Sequence, residues 1–162
     1  MIKIMFVCHG NICRSPMAEF VFSHFVKENN ISDKFCIASS ATSREEIGNS
    51  VHRGTKDKLY EVGISCDGKT AVQLTKKDYE IYDYIICMDS YNIKNALRII
   101  GDDKDRKLHR LLDFSTRPRD ISDPWYTGNF DETYNDITEG CGALLDYILK
   151  KHINDFNYYI FN

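Results

Sequence analysis

A chain of 162 residues has room for one domain with a real core and is too short for two comfortable ones. Charged residues at 28%, hydrophobic ones at 43% and a formal net charge of −3 are ordinary globular values that argue against a general nucleic-acid binder, leaving small molecules or proteins as partners. No apolar run reaches membrane length and the opening MIKIMFV is too short for a signal-peptide core, so the expectation is a cytoplasmic protein without membrane contact.

In chain order, residues 2–7 form a short apolar run of strand length. A loop from Cys8 to Arg14 follows, then a helical stretch over 16–29 that begins behind Ser15-Pro16. A weaker strand covers 35–40, a helix roughly 51–62, a second strongly apolar strand 82–88 (YDYIICM), and a helix 90–100. Residues 107–114 (KLHRLLDF) read as a mixed fourth strand, and 131–153 as a long amphipathic helix with Ile137, Cys141, Leu144, Leu145, Ile148 and Leu149 on one side. This β-α alternation predicts one α/β domain over 1–162: a four-stranded parallel sheet with helices on both faces and a phosphate-binding loop after the first strand. The tail NDFNYYIFN is aromatic for a free end, and part of it is expected to pack on the surface.

The 6 cysteines are scattered, with no C-x-x-C pair and no Cys/His grouping at zinc spacing. Reduced thiols and no metal site are therefore expected. Cys36, Cys87 and Cys141 fall inside regular elements and read as small buried hydrophobes. His24, His52, His109 and His152 carry no motif.

Chemistry concentrates in VCHGNICRSP. In a parallel sheet, ligands collect at the carboxyl ends of strands, where the first β-α turn presents backbone N–H groups and a helix N-terminus. The spacing from Cys8 to Arg14 fills that turn; Gly10 and Asn11 tolerate positive φ, so successive N–H groups can form an anion nest together with His9, Ile12 and Cys13. Arg14 adds a planar fork for two phosphoryl oxygens. The same positive potential favours thiolate at Cys8, which under a bound phosphate can attack phosphorus in line and form a phosphocysteine. The opening loop is not a Walker A loop, because no G-K-[ST] closes it.

Expelling an alkoxide or aryl oxide at neutral pH requires a general acid over the anion site. ISDPWYTGNFD follows the last strand, so Asp123 is the candidate, with Pro124 stiffening the turn and Trp125 and Tyr126 walling a slot suited to an aromatic ring. Asp120 and Asp131 are the next candidates in the same segment.

With VCHGNICRSP and DPWY together, the chain resembles the low-molecular-weight protein tyrosine phosphatases over nearly its whole length. SSATSREEIGN, LTKKDYEIYDYIICMD and DPWYTGNFDETY resemble the family's middle and late segments. That resemblance implies phosphotyrosine-containing proteins as substrates, inorganic phosphate as product and no cofactor. It makes Cys8 the nucleophile, Arg14 the phosphate and transition-state ligand, and Asp123 the acid that later serves as base for water. It also implies a left-handed Asn11 bonded to Ser39, a Ser15 that steadies the departing thiolate, and a Cys13 able to form a reversible disulfide with Cys8. Two departures stand out. His9 occupies a position that is often aliphatic, placing a titratable group at the pocket rim, and the family's histidine before an A-R-Q-like segment is replaced near Lys69.

Three rivals share parts of this pattern. Thiol-coupled arsenate reductases resemble the loop and acid but need further cysteines in relay, and Cys87 has no cysteine partner in MDSYNIKNALRIIG. Phosphocysteine carriers of sugar uptake systems need neither the Arg-Ser-Pro exit nor a distant acid. An arginine-phosphatase branch places Thr where this chain has Ile12, which offers no hydrogen-bond acceptor to a guanidinium.

Overall fold

The computed structural model describes residues 1–154 and Phe156. Strands β1 (Ile2–Cys8), β2 (Phe35–Ala41), β3 (Tyr84–Cys87) and β4 (Leu108–Arg110) pair in the order β2-β1-β3-β4, every pair parallel. The helices are α1 (Arg14–Glu28), α2 (Arg53–Glu61), α3 (Lys76–Ile81), α4 (Ser90–Ile100), α5 (Pro124–Thr127) and α6 (Phe130–Lys151).

Alternation along each strand sends side chains to opposite faces of the sheet. Ile4, Phe6 and Ile86 pack with Met17, Val21 and Phe22 of α1 and Ile137, Cys141, Leu144 and Ile148 of α6. Met5, Val7, Ile85 and Cys87 face the other way, against Tyr79 of α3 and Ala96 and Ile100 of α4. Helices thus cover both faces, and the central strands β1 and β3 are apolar except at the half-buried Lys3 because neither face of their inner part meets water. Each large side chain sealed here stabilises the fold by roughly 1.5–3 kcal/mol relative to exposure.

Several boundaries differ from the sequence expectation. Helix α1 begins at Arg14, not at residue 16, because the Cys13 carbonyl already accepts the Met17 N–H at 3.3 Å. The fourth strand covers three residues of the expected 107–114: Asp113 bonds back to the Arg110 N–H at 3.2 Å and turns Leu111–Phe114 into a 3-10 segment, which delivers Leu111 and Leu112 to the core. Two short helices were not expected. Thr75 and Asp78 cap each other's backbone to start α3, and Asp123 with Pro124 starts α5. Cys87 and Cys141 are buried, whereas Cys36 is only half-buried on the edge strand β2. Of the aromatic tail, Phe156 is buried and stacks on Phe35 with ring centroids 6.0 Å apart; Asp155 and residues 157–162 lie outside the described residues.

Candidate active site

Cys8 ends β1 and is buried beneath the loop that follows. Its Sγ accepts the Asn11 N–H at 3.3 Å and lies 3.0 Å from the Ser15 hydroxyl. The loop carbonyls are tied outwards: His9 O accepts from Ser43 N at 3.0 Å, Ile12 O from His52 N at 2.8 Å, and Cys13 O from Met17 N at 3.3 Å and the Thr55 hydroxyl at 3.2 Å. A trans peptide sets N–H opposite C=O, so this arrangement turns the N–H edges of the Gly10, Cys13 and Arg14 peptides to the inner side.

Arg14 opens α1 and is buried. Its Nη1 donates to Asp89 at 2.5 Å and to the Ile121 carbonyl at 2.9 Å, while Nη2 reaches Asp123 at 3.3 Å. Burial opposes the guanidinium charge, but the negative charges of Cys8, Asp89 and Asp123 outweigh it and raise the Arg14 pKa above its ordinary value. Cys13, buried in the same loop, is pushed up to about 12, first by desolvation and then by the charges on Cys8 and Asp123. Cys13 therefore remains a thiol near neutrality.

Asn11 holds the loop from behind. It adopts φ 57, a left-handed conformation that asparagine tolerates better than most residues. Its Nδ2 donates to Ser15 at 2.8 Å and to Ser39 at 2.9 Å, and its Oδ1 accepts the Val72 N–H at 3.1 Å. The Ser39 hydroxyl passes on to the Glu19 carboxylate. Lys69 closes this network, donating to the Ser39 carbonyl at 2.9 Å and pairing with Glu19 at 3.4 Å. Lys69 thus supports the loop from the position where the sequence comparison noted a replaced histidine. Gly10 departs from expectation because its φ is not positive; a Cβ there would meet the Glu46 side chain at 3.4 Å.

A cavity of about 110 Å³ opens over the loop, lined by Cys8, His9, Gly10, Ile12, Cys13, Arg14, Glu45, Glu46, Asp123, Trp125 and Tyr126. The Cys8 thiol, the Arg14 guanidinium and the candidate acid Asp123 therefore face one space. Asp123 caps α5 through its Oδ1, which accepts the Trp125 N–H at 3.1 Å, while its other oxygen faces Arg14. Trp125 and Tyr126 are 55% and 83% exposed, so they form the rim and not a buried wall. Trp125 sits edge-on to His52 at 5.6 Å, and His52 stacks on Phe130, joining the rim to α2 and α6. His9 pairs with Glu45 at 3.1 Å across the mouth. Asp120 engages Arg110 and Ser90, and Asp131 engages Lys58 at 2.8 Å; neither lines the cavity.

Sequence reasoning missed Asp89, Glu19, Glu45 and Glu46. Asp89 had a signal: it follows β3, at the same sheet edge as Cys8, and precedes a helix that it caps through the Asn92 N–H at 2.7 Å. The others had none, because their roles depend on loops meeting across the sheet edge.

Comparison with known proteins places this geometry in context. Residues 3–154 match the model of the low molecular weight phosphotyrosine protein phosphatase family. The chain is 40% identical over 153 residues to the low molecular weight protein-tyrosine-phosphatase YfkJ of Bacillus subtilis, covering 93% of this chain and 98% of that one. It is 39% identical to PtpA of Staphylococcus epidermidis over 93% of this chain and 96% of the relative. The crystal structure of YfkJ superposes with a TM-score of 0.90, covering 94% of this chain and 97% of that one. A low molecular weight protein tyrosine phosphatase from Streptococcus pyogenes gives 0.84 at 41% identity, covering 96% and 98%.

Proposed function

Since the chain belongs to the low molecular weight phosphotyrosine protein phosphatase family, we propose that it hydrolyses phosphotyrosine in protein substrates through a phosphocysteine on Cys8. The observation that carries this reading is the convergence of Cys8, Arg14 and Asp123 on one cavity.

The phosphoryl group enters that cavity as an anion. Its oxygens meet the inward N–H groups of the loop and the Nε–Nη2 edge of Arg14, while Nη1 stays anchored on Asp89 and the Ile121 carbonyl. Taking over Nη2 displaces Asp123 from its 3.3 Å contact and frees the carboxyl to carry a proton. The Cys8 thiolate attacks phosphorus, the bond from phosphorus to the tyrosyl oxygen breaks, and Asp123 delivers its proton to that oxygen. The resulting carboxylate then takes a proton from water, whose oxygen attacks phosphorus as the S–P bond breaks. Inorganic phosphate and the Cys8 thiolate are released, with Ser15 at 3.0 Å to donate to the departing sulfur.

The rim aromatics favour an aryl phosphate. Ile12 lines the cavity with an apolar side chain and gives phosphoarginine no acceptor. The 6 free cysteines and a thiolate nucleophile suit a reducing compartment, and we assign the enzyme to the cytoplasm. Cys8→Ser tests the mechanism: turnover should fall at least about 10⁴-fold while inorganic phosphate still binds. Near-normal hydrolysis of a phosphotyrosine peptide by Cys8→Ser would overturn it. Kinetics on phosphotyrosine, phosphoserine, phosphoarginine and arsenate should rank phosphotyrosine first.

A further inference from the structure

Asp123 is carried by a stretch without regular structure, residues 115–123, between the 3-10 segment after β4 and helix α5. A proton donor on such a loop delivers only if the loop is held, since misplacement of a reacting group by about 1 Å costs up to about 10²-fold in rate. Besides the bonds that Arg14 makes to the Ile121 carbonyl and Asp123 and that Thr133 makes to the Ser122 carbonyl, three fastenings away from the cavity hold it. Arg119 spans to α6, donating to Asp136 at 2.7 Å and Glu139 at 2.9 Å. The Ile121 N–H bonds the Met88 carbonyl at 2.9 Å, and its side chain is buried in the core.

The third fastening is Asp120. Its Oδ1 accepts the Ser90 N–H at 2.9 Å, the Ser90 hydroxyl at 3.1 Å and Arg110 Nη1 at 2.9 Å. Ser90 is the first residue of α4, next to the Asp89 that grips Arg14. One rigid turn between β3 and α4 therefore sets both the guanidinium that meets the phosphate and the loop that carries the acid. Asp120 does not line the cavity, so it acts on the reaction at a distance, by holding the loop or, by way of Ser90, the neighbouring Asp89.

We propose that Asp120 is a positioning residue for leaving-group protonation, with Arg110 and Ser90 registering Asp123 over the Arg14 site. The proposal rests on Asp123 being the acid, and its test separates the two. The parameter is kcat/KM, which reports steps only as far as phosphocysteine formation, measured on a phosphotyrosine peptide and on para-nitrophenyl phosphate. The nitrophenolate departs with little help from a proton.

Asp120→Ala should lose about 10-fold more on the phosphotyrosine peptide than on para-nitrophenyl phosphate, with vanadate affinity unchanged; a parallel fall in vanadate affinity would place the effect at Asp89 and Arg14 and overturn the positioning role. Asp120→Asn, which keeps an acceptor for Ser90, should recover part of that difference. Equal losses on both substrates, or no loss, would overturn the positioning role. If Asp120→Ala does not fold, Arg110→Met carries the same test, with the same sign and a smaller size. Asp123→Asn is the control. Should it too lack leaving-group dependence, the assignment of the acid fails; should it show the dependence while the Asp120 and Arg110 variants do not, only the positioning role fails.

Discussion

The loop from Cys8 to Arg14 and the loop from Ser115 to Asp123 meet over one cavity but are fastened by different chemistry. The first grows directly out of the central strand, and its Asn11 is fully buried among neutral partners, Ser15, Ser39 and Val72. The second crosses the surface and is held largely by ion pairs, Arg119 with Asp136 and Glu139, and Asp120 with Arg110. Buried neutral hydrogen bonds resist salt and pH, whereas exposed pairs are screened by both solvent and ions. The half proposed to bind and attack the phosphate is fastened mainly by buried neutral hydrogen bonds, and the half proposed to move a proton by contacts that conditions can alter.

The largest expected effect lies at the junction of the two loops. Arg14 closes the first loop, and its side chain bonds the second at the Ile121 carbonyl and Asp123 while Asp89 anchors it from behind. Arg14→Lys keeps a charge but loses the fork, and kcat/KM should fall by about 10²–10³-fold, in the range seen when an oxyanion ligand is removed. A lysine variant with near-normal activity would mean that the phosphate is held by the loop N–H groups alone.

Mild peroxide should sharpen the contrast from the side of the first loop. Cys13 is held as a thiol at about 12 partly by the charge on Cys8, so oxidation of Cys8 to the neutral sulfenic acid removes that cause and eases attack by Cys13. Activity should be lost and then restored by added thiol, with a Cys8–Cys13 disulfide detectable by mass spectrometry. Recovery of only sulfinic or sulfonic Cys8 would exclude the bridge.

These loops also differ in how well the sequence revealed them. Cys8, Gly10, Asn11, Arg14, Ser15 and Pro16 lie within one short stretch, and local spacing is enough to suggest a strand, an anion loop and a helix start. The four parallel strands and the helices on both faces were legible for the same reason, since apolar runs of strand length announce themselves, whereas their order β2-β1-β3-β4 is seen only in the structure. Helix α3 was missed although Thr75 and Asp78 spelled its cap, and β4 was overextended because KLHRLLDF does not show where Asp113 will fold back on Arg110. The contacts that Asp89, Glu19 and Lys69 make around the anion loop were not legible, although Asp89 and Lys69 each carried a local signal. These contacts bridge 20 to 75 positions in the chain, and no local pattern encodes that closure.

Stability measurements should separate the two fastenings. Asn11→Ala forces alanine into a left-handed backbone, about 1–2 kcal/mol, and leaves the Val72 N–H without its acceptor and the Ser15 and Ser39 hydroxyls without their donor, about 1–3 kcal/mol. A combined loss of about 2–5 kcal/mol corresponds to a fall in Tm of about 5–15 °C for a chain of this size. Arg119→Ala, at the surface, should cost less than about 1 kcal/mol. Comparable losses from the two variants would remove the distinction between them.

The smallest effect is also the most specific. Burial alone would raise the Asp120 carboxyl, but the hydrogen bonds from Arg110 and Ser90 outweigh it and hold the group below its ordinary value. A carboxyl lowered in the folded state contributes stability above its unfolded pKa, and that contribution is lost as pH falls through the folded one. The side chain is 48% exposed, so after screening the contribution should stay below about 1 kcal/mol at neutral pH. Wild type and Asp120→Asn should therefore differ slightly in Tm at pH 7 and converge as pH falls through the lowered folded-state pKa of Asp120, beyond which both carry a neutral group. The gap between wild type and Asn11→Ala, made of neutral hydrogen bonds and backbone strain, should not follow pH in this way. Thermal unfolding of the three proteins across that range decides the matter: an Asn11 gap that closes in step with the Asp120 gap would show that both loops are held by titratable charge.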